Sequence, residues 1–417
     1  MRKAAQPEVK INPIVNNSDM NEAHRSVIVK ILQQKEICTR AEIAKLTGLT
    51  QASITKIVSS LIDMGIVLEV GSIKGNGNRR AIGLRLNSEN NKVIGIKLSR
   101  SLVEAGVFDI SGKNYSRDSF EFDMNDDPAK VLSRIKANVH EMLDEHENIV
   151  AVGMAIPGPY LRKEGNIAIV TRMTEWHNVN FLKEFKDEFK RPIFIEQDAN
   201  AGAMAEWWFG DHEKPVECLA YMLVGEGVGS GIVENEKLIL GHMGAASEVG
   251  HMSIDVHGKR CECGNYGCLE MYCSAPVMLQ RAKEEIPEIF LEKSERRTEE
   301  HEKIFEAARA GNEKARALLR EMAEYISYGC VNLINAYNPD IIIIGDVLSK
   351  AGDLILPDIK RFTEERAIKE LYEKTEIKIS ELEVDPTLYG AAAIATERVL
   401  RKPSEYLTKN EEGGGNK

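Results

Sequence analysis

The hydrophobic positions at the start of the chain predict three helices. Apolar side chains recur at helical spacing within residues 21–34 and mark one face of a first helix. Thr39 can cap a short second helix, Gly48 opens a turn, and Thr50 can cap a third helix. The buried face of this third helix consists of four apolar residues, namely Ile54, Ile57, Val58 and Leu61. This order is typical of a helix-turn-helix.

A short β-hairpin is predicted after the three helices. Residues 66–73 and 81–86 are strand-like, and they enclose the sequence GNGNRR, which is typical of the turn of a wing. We therefore predict a winged helix-turn-helix domain over residues 20–88. The polar stretch at residues 1–19 is predicted to be a flexible arm.

The exposed residues of the third helix and of the wing form a candidate DNA-binding surface. A recognition helix places its N-terminal residues against base edges in the major groove, and arginines on a wing can reach phosphates or an adjacent minor groove. The candidate DNA-binding residues are Gln51, Ala52, Ser53, Thr55, Lys56, Arg79 and Arg80. A three-helix protein-interaction module is the alternative, but two arginines at the wing tip favour double-stranded DNA.

The rest of the chain alternates between strands and helices, which indicates an α/β fold. Similar strand-hairpin openings near residues 93 and 219 predict two related lobes with a cleft between them. The predicted helices lie at residues 128–147, in the alanine-rich stretch after Asp198, over about 275–337 and at 387–402. The predicted strands lie at residues 148–155, 192–196, 218–224, 232–239 and 340–345. The predicted domain covers residues 92–402, with lobe one at about 92–199 plus 387–402, lobe two at about 200–386, and a disordered tail at 403–417.

Composition and charge favour a cytoplasmic protein with a separate nucleic-acid module. The 417 residues are 43% hydrophobic and 29% charged, and no apolar run approaches the roughly 20 residues that span a bilayer. Seven cysteines, an odd number, suit a reducing compartment, and residues 1–15 do not resemble a signal peptide. Residues 1–85 carry 13 basic and 7 acidic side chains, and the remainder 41 and 58, so a head of charge +6 precedes a body of charge −17.

The residues between 241 and 270 predict a zinc knuckle. Cys261, Cys263 and Cys268 have the spacing Cys-x-Cys-x4-Cys, and His251 lies upstream of them. Four such ligands make a closed tetrahedral site, which is structural rather than catalytic. The alternative is three buried thiols and a solvated histidine.

The same stretch resembles the ROK family of bacterial sugar kinases and sugar-responsive repressors. The pattern Gly-x-x-Gly-x-Ala-x-Glu-x-Gly-His, followed by Cys-x-Cys-Gly-x-x-Gly-Cys-Leu-Glu, matches that family, although Ser247 stands where glycine is usual. The N-terminal block is similar to the winged helix of ROK repressors, which the kinases lack. The resemblance implies a winged helix-turn-helix followed by a two-lobed actin-like ATPase/sugar-kinase fold with a zinc knuckle.

The resemblance also implies a sugar pocket. The residues at sugar-binding positions are Pro157, Gly158, Gln197, Asp198, Asn200, Glu248, His251 and Glu270. Asp198 falls on the catalytic aspartate of the kinases, Gln197 replaces an asparagine, and His251 can serve both zinc and a sugar hydroxyl. Each of these residues has an alternative role in bracing a loop. Asp198 would repel a phosphate, so we expect a neutral, unphosphorylated sugar effector.

The nucleotide motifs of the kinases are altered in three places, so no ATP binding is expected. Residues 97–102 lack the acid and both glycines of the first phosphate turn, and Asp346-Val347 alters a glycine turn near adenosine. Glu226 puts a carboxylate where a phosphate would lie. Like charges about 4 Å apart cost about 4 kcal/mol at an effective dielectric constant of 20. No catalytic residue is therefore expected, and Asp198 is regarded as vestigial.

The resemblance implies a sugar-responsive, DNA-binding transcriptional repressor of carbohydrate-utilisation genes. Sugar in the interlobe cleft is expected to alter operator affinity, and a homodimer or a dimer of dimers is expected because paired heads suit two half-sites. The first alternative is an ATP-dependent sugar kinase with a DNA-binding head. The second is a regulator that a protein partner sequesters. No membrane association is expected.

Overall fold

The chain divides into two units, which are described separately. The computed structural model describes residues 17–74, 80–123, 125–168, 173–212, 216–291 and 297–407. One unit comprises residues 1–89 with 397–417, and the other comprises residues 90–396. Among the helices that the structure describes, none combines the length and the apolar character needed to cross a lipid bilayer.

The first unit is a winged helix. Its elements are α1 (Asn17–Lys35), β1 (Cys38–Thr39), α2 (Arg40–Thr47), α3 (Gln51–Asp63), β2 (Val67–Lys74) and β3 (Arg80–Leu86), with strand order β1-β3-β2. Thr39 and Glu42 form a reciprocal capping box on α2, and Gly48 ends that helix at φ 71°. The Thr50 side chain accepts a hydrogen bond from the Ser53 N–H and so caps α3. These caps fix the helix-turn-helix that the sequence predicts.

The first helix begins earlier than the sequence predicts. Helix α1 starts at Asn17, so residues 17–19 of the expected arm are helical, and residues 1–16 lie outside the described residues. Hydrophobic periodicity cannot detect this first turn because its residues are polar, yet asparagine, serine and aspartate are favourable at helix N-termini.

The first sheet of the second unit carries a three-stranded meander. Its strands are β4 (Lys92–Leu98), β5 (Leu102–Asp109), β6 (Asn114–Glu121), β7 (Ile149–Ile156) and β10 (Ile193–Gln197), in the order β10-β7-β4-β5-β6. Strands β4, β5 and β6 are antiparallel neighbours, whereas β7 and β10 run parallel to β4. The remaining elements of this lobe are α4 (Pro128–Glu145), β8 (Tyr160–Leu161), β9 (Asn166–Ile167) and α5 (Phe181–Phe185).

The second sheet repeats an antiparallel hairpin flanked by parallel strands. Its strands are β11 (Cys218–Val224), β12 (Val228–Glu234), β13 (Lys237–Leu238), β14 (Ile341–Gly345) and β15 (Glu376–Ile379), in the order β13-β12-β11-β14-β15. Its helices are α6 (Asp198–Phe209), α7 (Glu270–Cys273), α8 (Ala275–Glu285), α9 (Arg297–Arg309), α10 (Glu313–Tyr337), α11 (Gly352–Arg366) and α12 (Lys369–Tyr372). The two related sheets that the hairpin openings predict are therefore present.

The prediction of a strand at residues 232–239 is wrong at its start. Strand β12 begins at Val228, so Gly229 and Gly231 belong to the strand. A Cβ at Gly231 would lie 2.4 Å from the Ala199 carbonyl oxygen of α6, so glycine allows the helix to approach the strand. This packing requirement cannot be recognised from strand periodicity.

The last long helix packs closely against both the first sheet and α6. Helix α13 (Pro386–Arg401) passes so near β7 that a Cβ at Gly153 would lie 1.9 Å from the Ala391 carbonyl oxygen. A Cβ at Gly390 would lie 1.8 Å from the Ala201 carbonyl oxygen. Small residues in the two helices therefore hold the sheets close together.

The predicted tail at residues 403–417 is partly helical. Helix α14 (Pro403–Tyr406) belongs to the winged-helix unit, where the backbone N–H and the hydroxyl of Ser404 donate to Glu22 at 2.9 and 2.6 Å. Leu407 is buried, and residues 408–417 lie outside the described residues. The prediction of disorder failed because local composition cannot reveal contacts with α1, which lies 382 positions earlier in the sequence.

Candidate functional site

Three cysteines and one histidine meet in the predicted knuckle. The ligand atoms of His251, Cys261, Cys263 and Cys268 all lie within 4.8 Å of one another. The Cys261 Sγ is 3.7 Å from the His251 Nδ1, and the Cys263 and Cys268 Sγ atoms are 3.6 Å apart. A tetrahedral zinc ion with Zn–S bonds of about 2.3 Å requires sulfur separations of about 3.8 Å. The donor set and its spacing therefore fit a zinc ion.

The backbone of the knuckle is bent by glycines and held by hydrogen bonds. Gly267 has a φ of 67°, and a Cβ there would lie 1.7 Å from the Asp255 carbonyl oxygen, so no other residue fits. The Asn265 side-chain amide donates to the His251 carbonyl at 3.1 Å and to the Ser253 hydroxyl at 2.9 Å. The ligands are thus brought together by the fold of the loop itself.

A cleft of about 1220 Å³ lies between the two sheets of the second unit. Seven of the eight predicted sugar-binding residues line it, namely Pro157, Gly158, Gln197, Asp198, Glu248, His251 and Glu270. We call Gln197, Asp198, Glu248, His251 and Glu270 the knuckle group. We call four further lining residues, Lys97, Glu104, Asp346 and Asp385, the lysine group.

Gln197 connects the two lobes within the knuckle group. Its side-chain amide donates to the Glu248 Oε1 at 3.0 Å, and its own Oε1 accepts from the Tyr160 N–H at 3.4 Å. A Cβ at Gly158 would lie 2.2 Å from the Gln197 Cδ, so glycine makes room for this longer side chain. The extra methylene of Gln197 relative to asparagine is therefore used to reach Glu248.

Asn200 does not join the other predicted sugar-binding residues, and this prediction is corrected. Its side chain is buried at 1% exposure, and its amide donates to the Glu196 Oε1 at 3.1 Å. Glu196 is fully buried and also contacts the guanidinium of Arg162. Asn200 thus braces a buried ion pair beneath the cleft because helix α6 turns it inward.

Two carboxyl groups of the knuckle group have unusual acidities. Burial raises the pKa of Asp198 to about 6, although the Ala199 N–H, which donates to it at 2.7 Å, acts to lower that pKa. Burial also raises the pKa of Glu248 to about 7, the Gln197 hydrogen bond lowers it, and the nearby Asp198 and Glu270 raise it. Both groups can accept hydrogen bonds from ligand hydroxyls, most strongly when ionised.

The lysine group places one ammonium among three carboxyl groups. The Lys97 Nζ lies 2.7 Å from the Asp385 Oδ2 and 3.6 Å from the Glu104 Oε2. Lys97 is 7% exposed; burial alone would lower its pKa, but the charges of Asp385, Asp346 and Glu104 raise it well above its usual range. Lys97 is therefore a permanent cation in this part of the cleft.

Glu226 is bound by residues whose role the sequence did not predict. Its Oε2 accepts from the Arg100 backbone N–H at 2.8 Å, and its Oε1 accepts from the Ser101 hydroxyl at 2.6 Å. The Arg100 guanidinium donates to the Glu226 carbonyl oxygen at 2.5 Å. The only sequence signal for these contacts is the replacement of the two family glycines by Ser99 and Arg100.

The predicted recognition surface is accessible in the winged-helix unit. Its exposed residues are Gln51, Ala52, Ser53, Thr55 and Lys56 on α3, and Arg80 at the start of β3. Ile54, between them, is fully buried. The helix therefore turns its polar N-terminal residues outward, and Arg79 lies outside the described residues.

Comparisons with known proteins agree with both units. Residues 93–398 match the ROK family, and residues 21–67 match the winged helix-turn-helix DNA-binding family. The chain is 29% identical over 401 residues to the xylose repressor of Caldicellulosiruptor bescii, covering 94% of this chain and 99% of the relative.

Two solved structures have the same fold. A ROK family transcriptional regulator, described as a homologue of the Escherichia coli MLC protein, has a TM-score of 0.75 at 25% identity, over 92% of this chain and 97% of its own. A ROK family glucokinase from Streptomyces griseus, in complex with glucose and AMPPNP, has a TM-score of 0.64 at 26% identity, over 73% of this chain and 99% of its own. The regulator match thus extends over the winged helix, and the ROK match spans most of the chain. The chain belongs to the ROK family.

Proposed function

We propose that the protein is a sugar-responsive, DNA-binding transcriptional repressor of carbohydrate-utilisation genes. The proposal rests mainly on one observation. The same chain has an exposed recognition surface on α3 and a cleft lined by the knuckle group. A relative aligned over nearly its whole length is named a xylose repressor, which supports the same assignment.

The knuckle group supports a neutral sugar as the effector. Glu248 and Glu270 can accept hydrogen bonds from hydroxyls, and the Gln197 side chain can both donate and accept. Glu248 has a pKa of about 7 and Asp198 one of about 6, so both are largely ionised in slightly alkaline solution. A phosphate beside these carboxylates would be repelled, whereas a hydroxyl would be bound.

The proposed zinc ion would act as a structural element. His251, Cys261, Cys263 and Cys268 would hold it as a closed four-ligand site, and zinc supplies folding energy to such loops when bound. Glu248 precedes and Glu270 follows the ligands in the chain, so the fold of the knuckle fixes the positions of these two carboxylates. Because Nδ1 of His251 faces the thiol of Cys261, its Nε2 is left to donate to a ligand hydroxyl.

The lysine group and Glu226 support a protein without kinase activity. Phosphoryl transfer depends on groups that hold the nucleotide phosphates and their metal ion. In this chain Lys97 is ion-paired with Asp385, and both carboxylate oxygens of Glu226 accept hydrogen bonds from within the protein. Asp198 therefore lacks the nucleotide-binding groups that phosphoryl transfer requires. Its proposed role is to contact the sugar.

DNA release follows from a difference in sugar affinity between two states of the protein. A sugar that binds one arrangement of the lobes more tightly shifts the population towards that arrangement. Paired heads of a homodimer would read two half-sites about one DNA turn apart or a multiple of it. Sugar binding would then lower operator affinity by favouring the state in which the heads do not match the half-sites.

A binding panel tests the proposal directly. The zinc-loaded protein would be heated with hexoses, pentoses and amino sugars, each with and without MgATP. A ligand at 100 times its Kd stabilises the folded state by about 2.7 kcal/mol, which is measurable as a rise in Tm. We expect a rise with one sugar class and none with MgATP, and the same sugar should release operator DNA in a fluorescence-anisotropy titration.

Each alternative predicts a different result in this panel. A rise with MgATP that grows with sugar would support the sugar kinase instead, and phosphoryl transfer should then disappear with Asp198→Asn. DNA release by a protein partner, with no response to any free sugar, would support sequestration. Either result would contradict the proposal.

The DNA-binding surface is tested by salt dependence. Lys56→Ala and Arg80→Ala should each reduce the slope of log K against log salt by about 1, because each removes one positive charge from the DNA-binding surface. Lys237→Ala, at an exposed site in the second sheet, is the matched control and should leave the slope unchanged. A slope that stays at the wild-type value in all variants would exclude this surface from DNA binding.

A further inference from the structure

Two turns, one from each sheet, are joined by the Glu226 carboxylate. The β4–β5 turn supplies the donors Arg100 N–H and Ser101 Oγ, at 2.8 and 2.6 Å from the two Glu226 oxygens. Glu226 lies in the β11–β12 turn, 126 positions further along the chain. Both oxygens are therefore satisfied by the opposite lobe.

The Arg100 side chain contacts the β11–β12 turn and Glu270. Its Nη1 donates to the Glu226 carbonyl oxygen at 2.5 Å, and its Nη2 lies 3.5 Å from the Glu270 Oε2. The side chains of Arg100 and Glu270 are only 13% and 7% exposed, so these contacts are shielded from solvent. Arg100 thus links the turn that holds Glu226 to a carboxylate of the knuckle group.

The β11–β12 turn has no space for a side chain at position 225 or 227. A Cβ at Gly227 would lie 2.6 Å from the Arg100 Nη2 and 2.7 Å from the Glu270 Oε2, and a Cβ at Gly225 would lie 2.5 Å from the Asp346 Cγ. The Val228 N–H, which follows this turn, donates to the same Glu270 Oε2 at 3.0 Å. Glu270 is consequently positioned by the turn and by Arg100 together.

The donors around Glu226 are the kind that proteins use to hold anions. A backbone N–H and a hydroxyl from a tight turn commonly bind the oxygens of a small anion. Here the anion is part of the protein and is attached to the opposite lobe. It therefore joins the lobes without any diffusible ligand.

We infer that Glu226 is an interlobe clamp that positions Glu270, through Arg100, for sugar binding. This inference deepens the proposed function, because the sugar that Glu270 contacts is the proposed effector. The clamp favours the closed cleft before sugar arrives, and sugar bound to Glu270 favours the same closed state. Glu226 would thus be a positioning residue that sets how tightly the effector binds.

Amide hydrogen exchange tests the clamp without any sugar. The Arg100 amide donates to Glu226, whereas the neighbouring Ser99 amide donates to the Leu102 carbonyl within its own turn at 2.9 Å. Glu226→Ala should speed exchange at Arg100 by at least tenfold and leave Ser99 nearly unchanged. Glu234→Ala, at an exposed glutamate at the end of β12, is the matched control and should change neither. Unchanged exchange at Arg100 in Glu226→Ala would overturn the clamp.

A double-mutant cycle tests the link to sugar. Using the sugar found in the binding panel, we expect Glu226→Ala to raise the Kd about tenfold. Glu270→Gln should then have a smaller effect in the Glu226→Ala background than in the wild type, because the clamp no longer positions that carboxylate. Strictly additive effects, or a Kd for Glu226→Ala equal to that of Glu234→Ala, would overturn the positioning role.

The two hypotheses fail in different ways. A wild-type protein that binds no sugar would contradict the proposed function, while the exchange experiment would still decide on the clamp. Ser101→Ala removes only one of the hydrogen bonds and serves if Glu226→Ala does not fold. It should accelerate exchange at Arg100 by a smaller factor than Glu226→Ala, and an Arg100 amide as protected as in the wild type would again contradict the clamp.

Discussion

Asp198 and Asp385 are half-buried carboxyl groups in the same cleft, yet their acidities are shifted in opposite directions. Burial raises the pKa of Asp198 to about 6. Burial also acts to raise the pKa of Asp385, but the ammonium of Lys97, at 2.7 Å, outweighs it and lowers that pKa. The opposite shifts follow from their partners, because an ammonium contacts Asp385 whereas a backbone N–H donates to Asp198. We therefore assign the lysine group to an internal ion pair and propose the knuckle group as the part of the cleft that binds hydroxyl donors.

The largest effect is expected from breaking the zinc site beside the knuckle group. Cys268→Ser removes a ligand whose site contributes about 10 kcal/mol or more when zinc is bound. We expect zinc content to fall from one ion per chain to nearly none and sugar binding to be lost. Metal analysis and calorimetry measure the two quantities. Cys218→Ser, at a half-buried thiol outside the cluster, should retain both. Sugar binding that persists without zinc would separate the knuckle from the sugar pocket.

The next largest effect is expected in the lysine group. Lys97→Met leaves three carboxyl groups without their cation, which should lower the free energy of unfolding by about 3–5 kcal/mol. The loss should be smaller at pH 5 than at pH 8, because the carboxyl groups can take up protons at the lower pH. Denaturant unfolding at both pH values measures the loss in the free energy of unfolding. Lys369→Met, at an exposed site, is the control. Equal losses at both pH values would contradict the electrostatic explanation.

Sugar affinity should distinguish the two groups of carboxylates. Glu248→Gln should weaken sugar binding by about 10–100-fold, since a hydrogen bond to a charged group contributes about 1.5–3 kcal/mol. Glu104→Gln, in the lysine group, should change the Kd by less than about twofold. Isothermal titration calorimetry gives both constants. If Glu104→Gln weakened binding as much as Glu248→Gln, the division into two groups would be wrong.

The smallest expected effect is the pH dependence of sugar binding. The pKa of Glu248 is raised to about 7, and the ionised form is the stronger acceptor, so the Kd should fall between pH 6 and pH 8 by less than about tenfold. Glu248→Gln should flatten this dependence.

Glu206 provides the control for this pH dependence. Burial raises its pKa to about 7 as well, but its carboxylate accepts from Ser380 outside the cleft lining. Its folded form holds a proton that the unfolded chain releases at lower pH, so stability falls as pH rises from about 4.5 to about 7. Glu206→Gln should reduce that fall and leave the pH dependence of the Kd intact. Loss of the pH dependence of the Kd in Glu206→Gln would remove Glu248 as its cause.

Local signals predicted much of the fold. The strand at residues 218–224 is confirmed at both ends, and the caps at Thr39 and Thr50 lie where the sequence predicts them. These features depend on neighbouring residues, which a single sequence displays. Cysteine spacing likewise predicted the knuckle, because its ligands lie within one loop.

Contacts between distant residues were not predictable. Glu226 and Arg100 are 126 positions apart, and nothing near either residue identifies the other. Asn200 matches a family position, yet its orientation is set by the buried pair of Glu196 and Arg162. A resemblance can therefore indicate which residues surround a ligand, but hydrogen-bond partners depend on the folded chain.

The ion pair between Lys97 and Asp385 also has a consequence for protein synthesis. The two residues are 288 positions apart, and a ribosome adds about 5–20 residues per second, so Lys97 precedes its partner by about 15–60 s. The glycine-lined faces of β4 and β7 remain uncovered for the same interval, because α13 packs on both strands. A chain that terminates before residue 385 would leave Lys97 without its carboxylate partner at 2.7 Å and would leave a sheet face uncovered. The last long helix therefore makes completion of the first lobe dependent on a full-length product.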